Sequence, residues 1–457
     1  MPAKRLISLP RTLLFRHGGI GILSANFGLC PRVNSQLPDS ATASLSDAES
    51  PLRIALLGYR SAPHSGGQGV YLNYLSRYLR RRGHSVTVIS GPPYPRLDDD
   101  INLVKLESLD LYANGLRSVK PGHFFSRLER IEWFSKLTGG FAEPYTFGER
   151  VKKWFVGREN DFDIIHDNQT IADGILDLQT RGLRLVTTIH HPITRDYRAA
   201  LAAEPKWYMR LLIHRWHSFL RMQKRVAPQL ESVVTVSNAS AKDIATDFGV
   251  SPEAISVMHL GVDTEMFRPL PAIAREPFRL MTTASADAPL KGLVHLLKAV
   301  AALRPDYPDI RLTLVGHPKP DGDTQRIINS LGLANCIDFC KGISHEEMVE
   351  KYARATVAVV PSIYEGFGLP AVEAMACGVP LVSTSGGALA EVVDDAALVV
   401  SPGDSDALAR NIRRLFDDES LRAEYATRGL QRVEQHFCWE RCAERMEAFY
   451  RERIGRC

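Results

Sequence analysis

The feature that most restricts this chain is a short apolar run that stops at a glycine, followed by a glycine-rich loop and a helix. Arg53-Ile54-Ala55-Leu56-Leu57-Gly58 is apolar at every position between its ends. A run without alternation belongs to a strand buried on both faces, as in a parallel sheet. Ser65-Gly66-Gly67-Gln68-Gly69 comes next, then a helical stretch from about Val70 to Arg82, closed by Gly83. Val86 to Ile89 reads as the second strand, which completes a β-loop-α-β unit. Further strands are expected at Asp163 to His166, Leu185 to Ile189 and Val233 to Val236, and near Ile255 to Met258, with helices between them. Such alternation implies an α/β fold with a doubly wound parallel sheet.

The stretch from Gly261 to Pro277 holds three prolines and reads as a linker. A second alternating set follows it. Strands are expected near Phe278 to Thr283, Arg311 to Val315, Val357 to Val360, Leu381 to Ser383 and Leu398 to Val400. Helices are expected near Gly292 to Leu303, His345 to Arg354, Pro370 to Cys377 and Asp404 to Phe416, and the tail from Ser420 to Arg453 reads as wholly helical. With 457 residues the chain suits two domains. The boundaries are a disordered or leader-like extension over 1–51, domains over 52–265 and 266–435, and a closing helix over 436–457. Two doubly wound, Rossmann-like domains in tandem leave a cleft between them. Ligands of open α/β sheets bind outside the carboxyl ends of the strands, so functional loops should follow strands and face that cleft.

One such loop carries paired carboxylates. Pro361 to Gly368 follows the strand Val357 to Val360, and Pro370 fits the first turn of the next helix. Glu365 then sits in the loop and Glu373 in the first turns of the helix. Gly366 and Gly368 let a ligand approach the backbone closely. The helix start offers free N–H groups and a positive dipole end to phosphate. Glu373 is placed to accept from the vicinal hydroxyls of a ribose, and Glu365 to hold the hydroxyls of a sugar. A capping Glu and an exposed Glu at a helix start is the bland alternative; the strand, glycines and proline in register argue against it.

Ser362-Ile363-Tyr364-Glu365-Gly366-Phe367-Gly368-Leu369-Pro370, followed by Glu373-Ala374-Met375-Ala376-Cys377-Gly378-Val379-Pro380, resembles the core motif of glycosyltransferase family 4. The resemblance covers about residues 52 to 450. Val236-Ser237-Asn238, Gly261-Val262-Asp263, Phe267-Arg268-Pro269, Leu314-Val315-Gly316, Gly386-Gly387 and Phe437-Cys438-Trp439-Glu440 fall in the family's order. It implies a GT-B fold whose C-terminal helix crosses back onto the N-terminal domain. It also implies retaining transfer of a hexose-type sugar from a nucleotide diphosphate sugar to an acceptor hydroxyl, with no metal or other cofactor. Donor binding is then expected of Gly66, Gly67, Lys291, Glu365, Gly366, Phe367, Gly368, Leu369 and Glu373. His190, Lys291 and Glu365 are the expected catalytic residues. His190 matches the family's histidine beside the donor sugar, because it directly follows Thr187-Thr188-Ile189.

Other candidates are read against bland alternatives. Lys291, after the first strand of the second domain, can neutralise a departing diphosphate; a solvated lysine is the alternative. The family pairs this lysine with an arginine five residues earlier, where this chain has Ala286. Ser65 to Gly69 is either a tight turn or a phosphate or acceptor loop, and its similarity to the family's Gly-Gly loop favours the latter. His166-Asp167 resembles the family's His-Asp pair or is structural. Asp98-Asp99-Asp100 reads as a solvated turn rather than a metal motif. Lys206 to Arg225 mixes Trp207, Leu211, Leu212, Trp216, Phe219 and Leu220 with Arg210, Arg215, Arg221, Lys224 and Arg225. It reads as a helix with core contacts, or as a basic amphipathic helix for an anionic membrane.

Composition excludes some classes. A formal net charge of +4 is too small to argue for nucleic acid. Seven cysteines, sparse and odd in number, fit a reducing compartment. Cys336/Cys340 and Cys438/Cys442 share a spacing but are expected to be thiols rather than metal ligands. No run is long and apolar enough to span a bilayer. Gly19 to Cys30, broken by Asn26, is too poor an apolar core for a signal peptide. The expected location is the cytoplasm, with peripheral contact at the inner membrane surface as the alternative. Two rival activities share the fold, a nucleotide-sugar 2-epimerase and a non-catalytic nucleotide-sugar-binding relative. Donor base, sugar, acceptor and oligomeric state are not legible.

Overall fold

The computed structural model describes residues 50–62, 67–284, 288–319 and 322–455. Nearly all of the expected extension over 1–51, together with Gly66 and Ala286, lies outside the described residues. The first sheet contains β1 (Arg53–Gly58), β2 (Ser85–Ser90), β3 (Asn102–Lys105), β4 (Ile164–Asn168), β5 (Leu185–Thr188), β6 (Val233–Thr235) and β7 (Ile255–Val257). All pairs are parallel and the order is β3-β2-β1-β4-β5-β6-β7. The second sheet contains β8 (Arg279–Thr283), β9 (Arg311–Val315), β10 (Ile337–Cys340), β11 (Val357–Val360), β12 (Leu381–Thr384) and β13 (Leu398–Val400). It is also parallel, in the order β10-β9-β8-β11-β12-β13.

The apolar run at β1 is buried on both faces, as its lack of alternation requires. Ile54 and Leu56 join one core with Val86, Val88 and Val186, while Ala55 and Leu57 join another with Ile89 and Ile165. The second sheet divides in the same way, with Val357 and Val359 on one face and Ala358 and Val360 on the other.

The last helix closes the first domain rather than the second. Trp439, Ala443, Met446, Phe449 and Tyr450 of the helix Trp439–Gly455 are buried in the core that contains Ile54 and Leu56. The Trp439 ring stacks on Tyr74 and Tyr78 of the helix Gly67–Arg81, at centroid distances of 5.4 and 6.4 Å. Gly261 allows this approach, since a Cβ there would lie 2.7 Å from the Trp439 backbone. Truncating such a buried tryptophan to alanine costs about 3–5 kcal/mol.

Three expectations are corrected. The tail is not wholly helical. The helix Glu419–His436 ends, Phe437 and Cys438 leave helical geometry, and a second helix starts at Trp439. The break lets the Phe437 carbonyl accept from the Val262 N–H at 2.6 Å, pinning the interdomain linker to the crossover. β3 and β10 were not expected. Both are edge strands of four residues with polar or charged members, and their run is too short and mixed to signal burial. Asp98 to Asp100 lies in a surface turn as expected, with Asp99 and Asp100 exposed and with Asp98 and Asp100 pairing with Arg77 and Arg80 of the first helix. Finally, the apolar residues of the helix Trp207–Trp216 make no core, for none of its residues is buried. Trp207 is 72% and Leu211 57% exposed. The core contacts of this stretch belong to the following turns, where Phe219, Leu220 and Val226 are buried.

Candidate active site

Both sheets reverse their strand order once, at β1/β4 and at β8/β11. The loops leaving these four strands meet in a cavity of about 850 Å³ lined by residues of both domains. Gly67 and Gln68, Gln169, His190 and His191, Lys291 and the stretch Glu365 to Pro370 all contribute to its wall.

The carboxylate motif folds as its sequence dictates. Gly368 has φ 102° and caps the helix Leu369–Ala376, with Pro370 in the first turn. The helix N-terminus therefore opens on the cavity. Glu365 is buried, accepts from the Ser362 hydroxyl at 2.7 Å, and pairs with the Lys291 ammonium at 2.7 Å. The loop leaving β11 rests on the loop leaving β8: the Ile363 N–H donates to the Leu290 carbonyl at 2.8 Å. Gly292, at φ 60°, makes this possible, because a Cβ there would come within 2.1 Å of the Pro361 carbonyl oxygen. A second loop, Gly386-Gly387, supports Glu365 through a backbone bridge.

The expected site residues divide into those that reach the cavity and those that do not. Gly67, His190, Lys291, Glu365, Gly366, Phe367, Gly368 and Leu369 line it. Phe367 contributes backbone, since its ring is buried against Phe437 at 5.8 Å. Glu373 is not part of the wall. It lies one turn into the helix, next to the Tyr352 hydroxyl at 3.4 Å, and desolvation pushes its pKa up to about 7. His190 lines the cavity as a neutral ring, its pKa lowered to about 3 by desolvation and then by His191. His166 is a structural group: fully enclosed, it bonds the Thr188 hydroxyl at 2.6 Å and the Tyr450 hydroxyl of the closing helix. Its neighbour Asp167 caps the N–H groups of Thr170 and Ile171, and burial raises its carboxyl to about 6. Among the described residues no group of three or more His, Cys, Asp or Glu is arranged to hold a metal.

Several contributors were not among the expected site residues. The Gly366 carbonyl accepts from the hydroxyls of Ser237 and Ser240 at 2.6 and 3.0 Å, so the first domain holds the motif loop directly. Tyr364 donates to Asp243, and the Arg195 guanidinium sits 4.2 Å above the Tyr364 ring while pairing with the same carboxylate. On the first-domain side, Tyr59, Arg60, Tyr112, Phe141 and Trp216 continue the wall away from Glu365. Phe141 and Trp216 stack at 5.2 Å, and Trp216 closes edge-on to Tyr112 at 5.3 Å.

Two facing parallel sheets, a shared cavity at their switch points and a final helix that returns to the first domain define a glycosyltransferase of GT-B architecture. Solved structures share it. Sucrose-phosphate synthase from Thermosynechococcus elongatus aligns at TM-score 0.64 and 23% identity, over 89% of this chain and 100% of that one. Anabaena HepE in complex with UDP and glucose aligns at TM-score 0.63 and 19% identity, over 87% and 99%. The sequence matches the family described as Glycosyltransferase Family 4 over residues 65–266 and that described as Glycosyl transferases group 1 over residues 272–432. It is 45% identical to the MMP alpha-(1->4)-mannosyltransferase of Mycolicibacterium hassiacum over 89% of this chain and 99% of that protein. It is 29% identical to the D-inositol 3-phosphate glycosyltransferase of Saccharomonospora viridis over 89% and 95%. The chain belongs to glycosyltransferase family 4.

Proposed function

We propose that the protein transfers a hexose, with mannose the first choice, from a nucleotide diphosphate sugar to an acceptor hydroxyl with retention of anomeric configuration. The 45% identical relative named as a mannosyltransferase supports the choice of sugar. The observation that carries the reading is the Lys291–Glu365 pair, 2.7 Å apart in the cavity at the start of the helix Leu369–Ala376. A lysine, free N–H groups and a helix dipole converge there on the space a diphosphate would fill. A carboxylate stands beside it for sugar hydroxyls. Donor binding then exchanges the partners of Lys291: its ammonium turns from Glu365 to the diphosphate, which frees Glu365 for the sugar. Glu373, one turn into the helix and behind the cavity wall, is the group placed to accept from ribose hydroxyls. His190 stands on the opposite wall of the same cavity, towards the sugar.

In the transfer step the bond between the anomeric carbon and the β-phosphate oxygen breaks. The acceptor oxygen bonds to that carbon from the same face, and its proton passes to the departing phosphate. Lys291 and the backbone of Gly368 and Leu369 stabilise the charge that builds on the diphosphate. No metal and no other cofactor enters this step. The acceptor approaches along the first-domain wall, and its identity is set by the residues beyond Tyr59. Nucleic acid is not a partner in this reading.

The chain is proposed to act in the cytoplasm. No helix of the described residues is long and apolar enough to cross a membrane. The exposed Trp207, Leu211 and Leu212, flanked by Lys206 and Arg210, favour peripheral contact with an anionic membrane surface as a second reading of location.

The test is turnover of GDP-mannose, UDP-glucose and ADP-glucose by purified protein with simple mannosides as acceptors, the product's anomeric configuration being read by NMR. Transfer that retains configuration is expected, with loss in Glu365→Ala. Release of a free altered sugar without acceptor would indicate the epimerase. Donor binding without turnover would indicate the non-catalytic relative. An inverted product would overturn retention.

A further inference from the structure

The histidine on the cavity wall does not orient itself. His190 leaves β5 in a turn whose ring and backbone are both held by the end of β4. The Asn168 amide donates its N–H to the Gln68 carbonyl at 3.1 Å. That bond fixes the amide's orientation and leaves its oxygen to face the His190 Nε2 at 2.8 Å. An oxygen cannot donate, so Nε2 carries the proton and Nδ1 is the bare, accepting nitrogen. Gln169 holds the backbone of the same turn from both ends of one amide. Its oxygen accepts from the His190 N–H at 2.9 Å, and its nitrogen donates to the His191 carbonyl at 3.0 Å. In this segment Gln169 adopts φ 60° and Ile171 adopts φ 50°, a left-handed region unfavourable for side chains of this kind. The Asp167 carboxylate caps this bend by accepting from the N–H groups of Thr170 and Ile171. All five residues from His166 to Thr170 are buried. The turn they hold is close to the motif loop: a Cβ on Gly366 would meet the His191 Cβ at 3.2 Å.

We infer that Asn168 and Gln169 are positioning residues for transfer. Asn168 dictates which nitrogen of His190 is protonated, and Gln169 holds the His190–His191 turn against Gly366. His190 thereby presents an accepting nitrogen for a hydroxyl of the sugar rather than a donor or a cation. The inference rests on the proposed reading that His190 faces the donor sugar. Strain of this kind, buried and held from several sides, persists where a geometry is needed.

The groups that surround the ring decide how it titrates. Tyr71 of the first helix meets it edge-on at 4.9 Å, and His166 of β4 and His191 of the turn are its nearest bases. Tyr59, Arg60, Asp196, Lys291 and Glu365 share the cavity with it, Asp196 being paired with His191 at 3.4 Å. None of these replaces the Asn168 oxygen at Nε2, so a carboxylate at that position would be the ring's direct partner.

The experiment uses full-length protein with 15N-labelled histidine, the His190 signals being identified by their loss in His190→Asn. In the wild type, the nitrogen shifts should report protonated Nε2 and bare Nδ1, unchanged between pH 5.5 and 8.5. In Asn168→Asp the ring should titrate near neutral pH. Its kcat should fall about tenfold per pH unit below that midpoint and recover above it, as expected when one group must be deprotonated. The donor KM should move little. Gln169→Gly removes the clamp and the left-handed cost together, so kcat should fall while Tm stays within about 3 °C of the wild type. Protonated Nδ1 in the wild type, or an Asn168→Asp loss that is the same at every pH, overturns the role of Asn168. Unchanged kcat in Gln169→Gly overturns the role of Gln169. If His190→Asn turns over normally, the placement of His190 beside the sugar fails instead, and the nitrogen shifts still judge the Asn168 contact by themselves.

Discussion

Replacing Glu373 by glutamine should make the protein more stable and the enzyme worse. Desolvation raises the Glu373 carboxyl from 4.5 to about 7, with the Tyr352 hydroxyl as its weak partner. Between those values the folded chain holds a proton that the unfolded chain has lost. Stability therefore falls as pH rises through the window, being fully present below 4.5 and lost above 7. The shift corresponds to roughly 3 kcal/mol at about 1.4 kcal/mol per unit. Glutamine keeps an oxygen to accept from Tyr352 and does not titrate. Urea denaturation at pH 5 and pH 8 should show the wild type losing roughly 2–3 kcal/mol more than Glu373→Gln over that interval. The same variant should bind a nucleotide sugar more weakly at pH 8, because an amide offers one accepting oxygen to a vicinal diol where a carboxylate offers two. Stability curves that run parallel from pH 5 to pH 8 would refute the burial argument. Unchanged nucleotide-sugar affinity would refute the ribose assignment while leaving the burial argument intact.

Three further outcomes follow from single contacts. Gly292→Ala places a Cβ 2.1 Å from the Pro361 carbonyl oxygen at φ 60° and should cost about 3 kcal/mol or more, read as Tm, with donor binding lost as the two loops separate. Lys291→Ala should leave the fold intact by circular dichroism and lower kcat about 100-fold or more, as when one charge-stabilising group is removed; a drop in donor affinity alone would argue against a role in departure. Wild-type protein should float with anionic vesicles and Trp207→Ser/Leu211→Ser should not, whereas a wild type that stays at the bottom of the gradient ends the membrane reading.

What was legible in the sequence is what is local in the chain. Glu365, Gly366, Gly368, Pro370 and Glu373 form one strand-loop-helix unit, so their spacing already states their geometry. The positioning of His190 was not legible, because Asn168 and Gln169 meet it only through the parallel pairing of β4 with β5, in which Asn168 stands opposite Thr188. Nothing in the sequence of either strand marks that register. The helix Trp207–Trp216 shows a different limit. Periodicity reports that a helix has an apolar face but not whether the fold covers it, and here the face is left open. The edge strands β3 and β10 went unread because an edge needs less apolar sequence than a centre.

The placement of the cavity explains why its two halves differ in legibility. Each sheet opens a crevice where strand order reverses, and the two crevices face each other. On the second-domain side the crevice is filled by tight backbone: Gly292 against Pro361, Gly368 at φ 102°, and Gly386-Gly387 beneath Glu365. Backbone contact demands glycine and proline, which leave a readable mark. On the first-domain side the wall is made by side chains of distant segments, with Tyr59, Tyr112, Phe141 and Trp216 drawn from four separate places. Aromatic residues at such positions carry no fixed spacing, and in the sequence they resemble any core residue. If the proposed reading holds, a cavity built in this way can keep one half constant for the nucleotide and change the other for the acceptor by substituting rings, without disturbing the strands that support either.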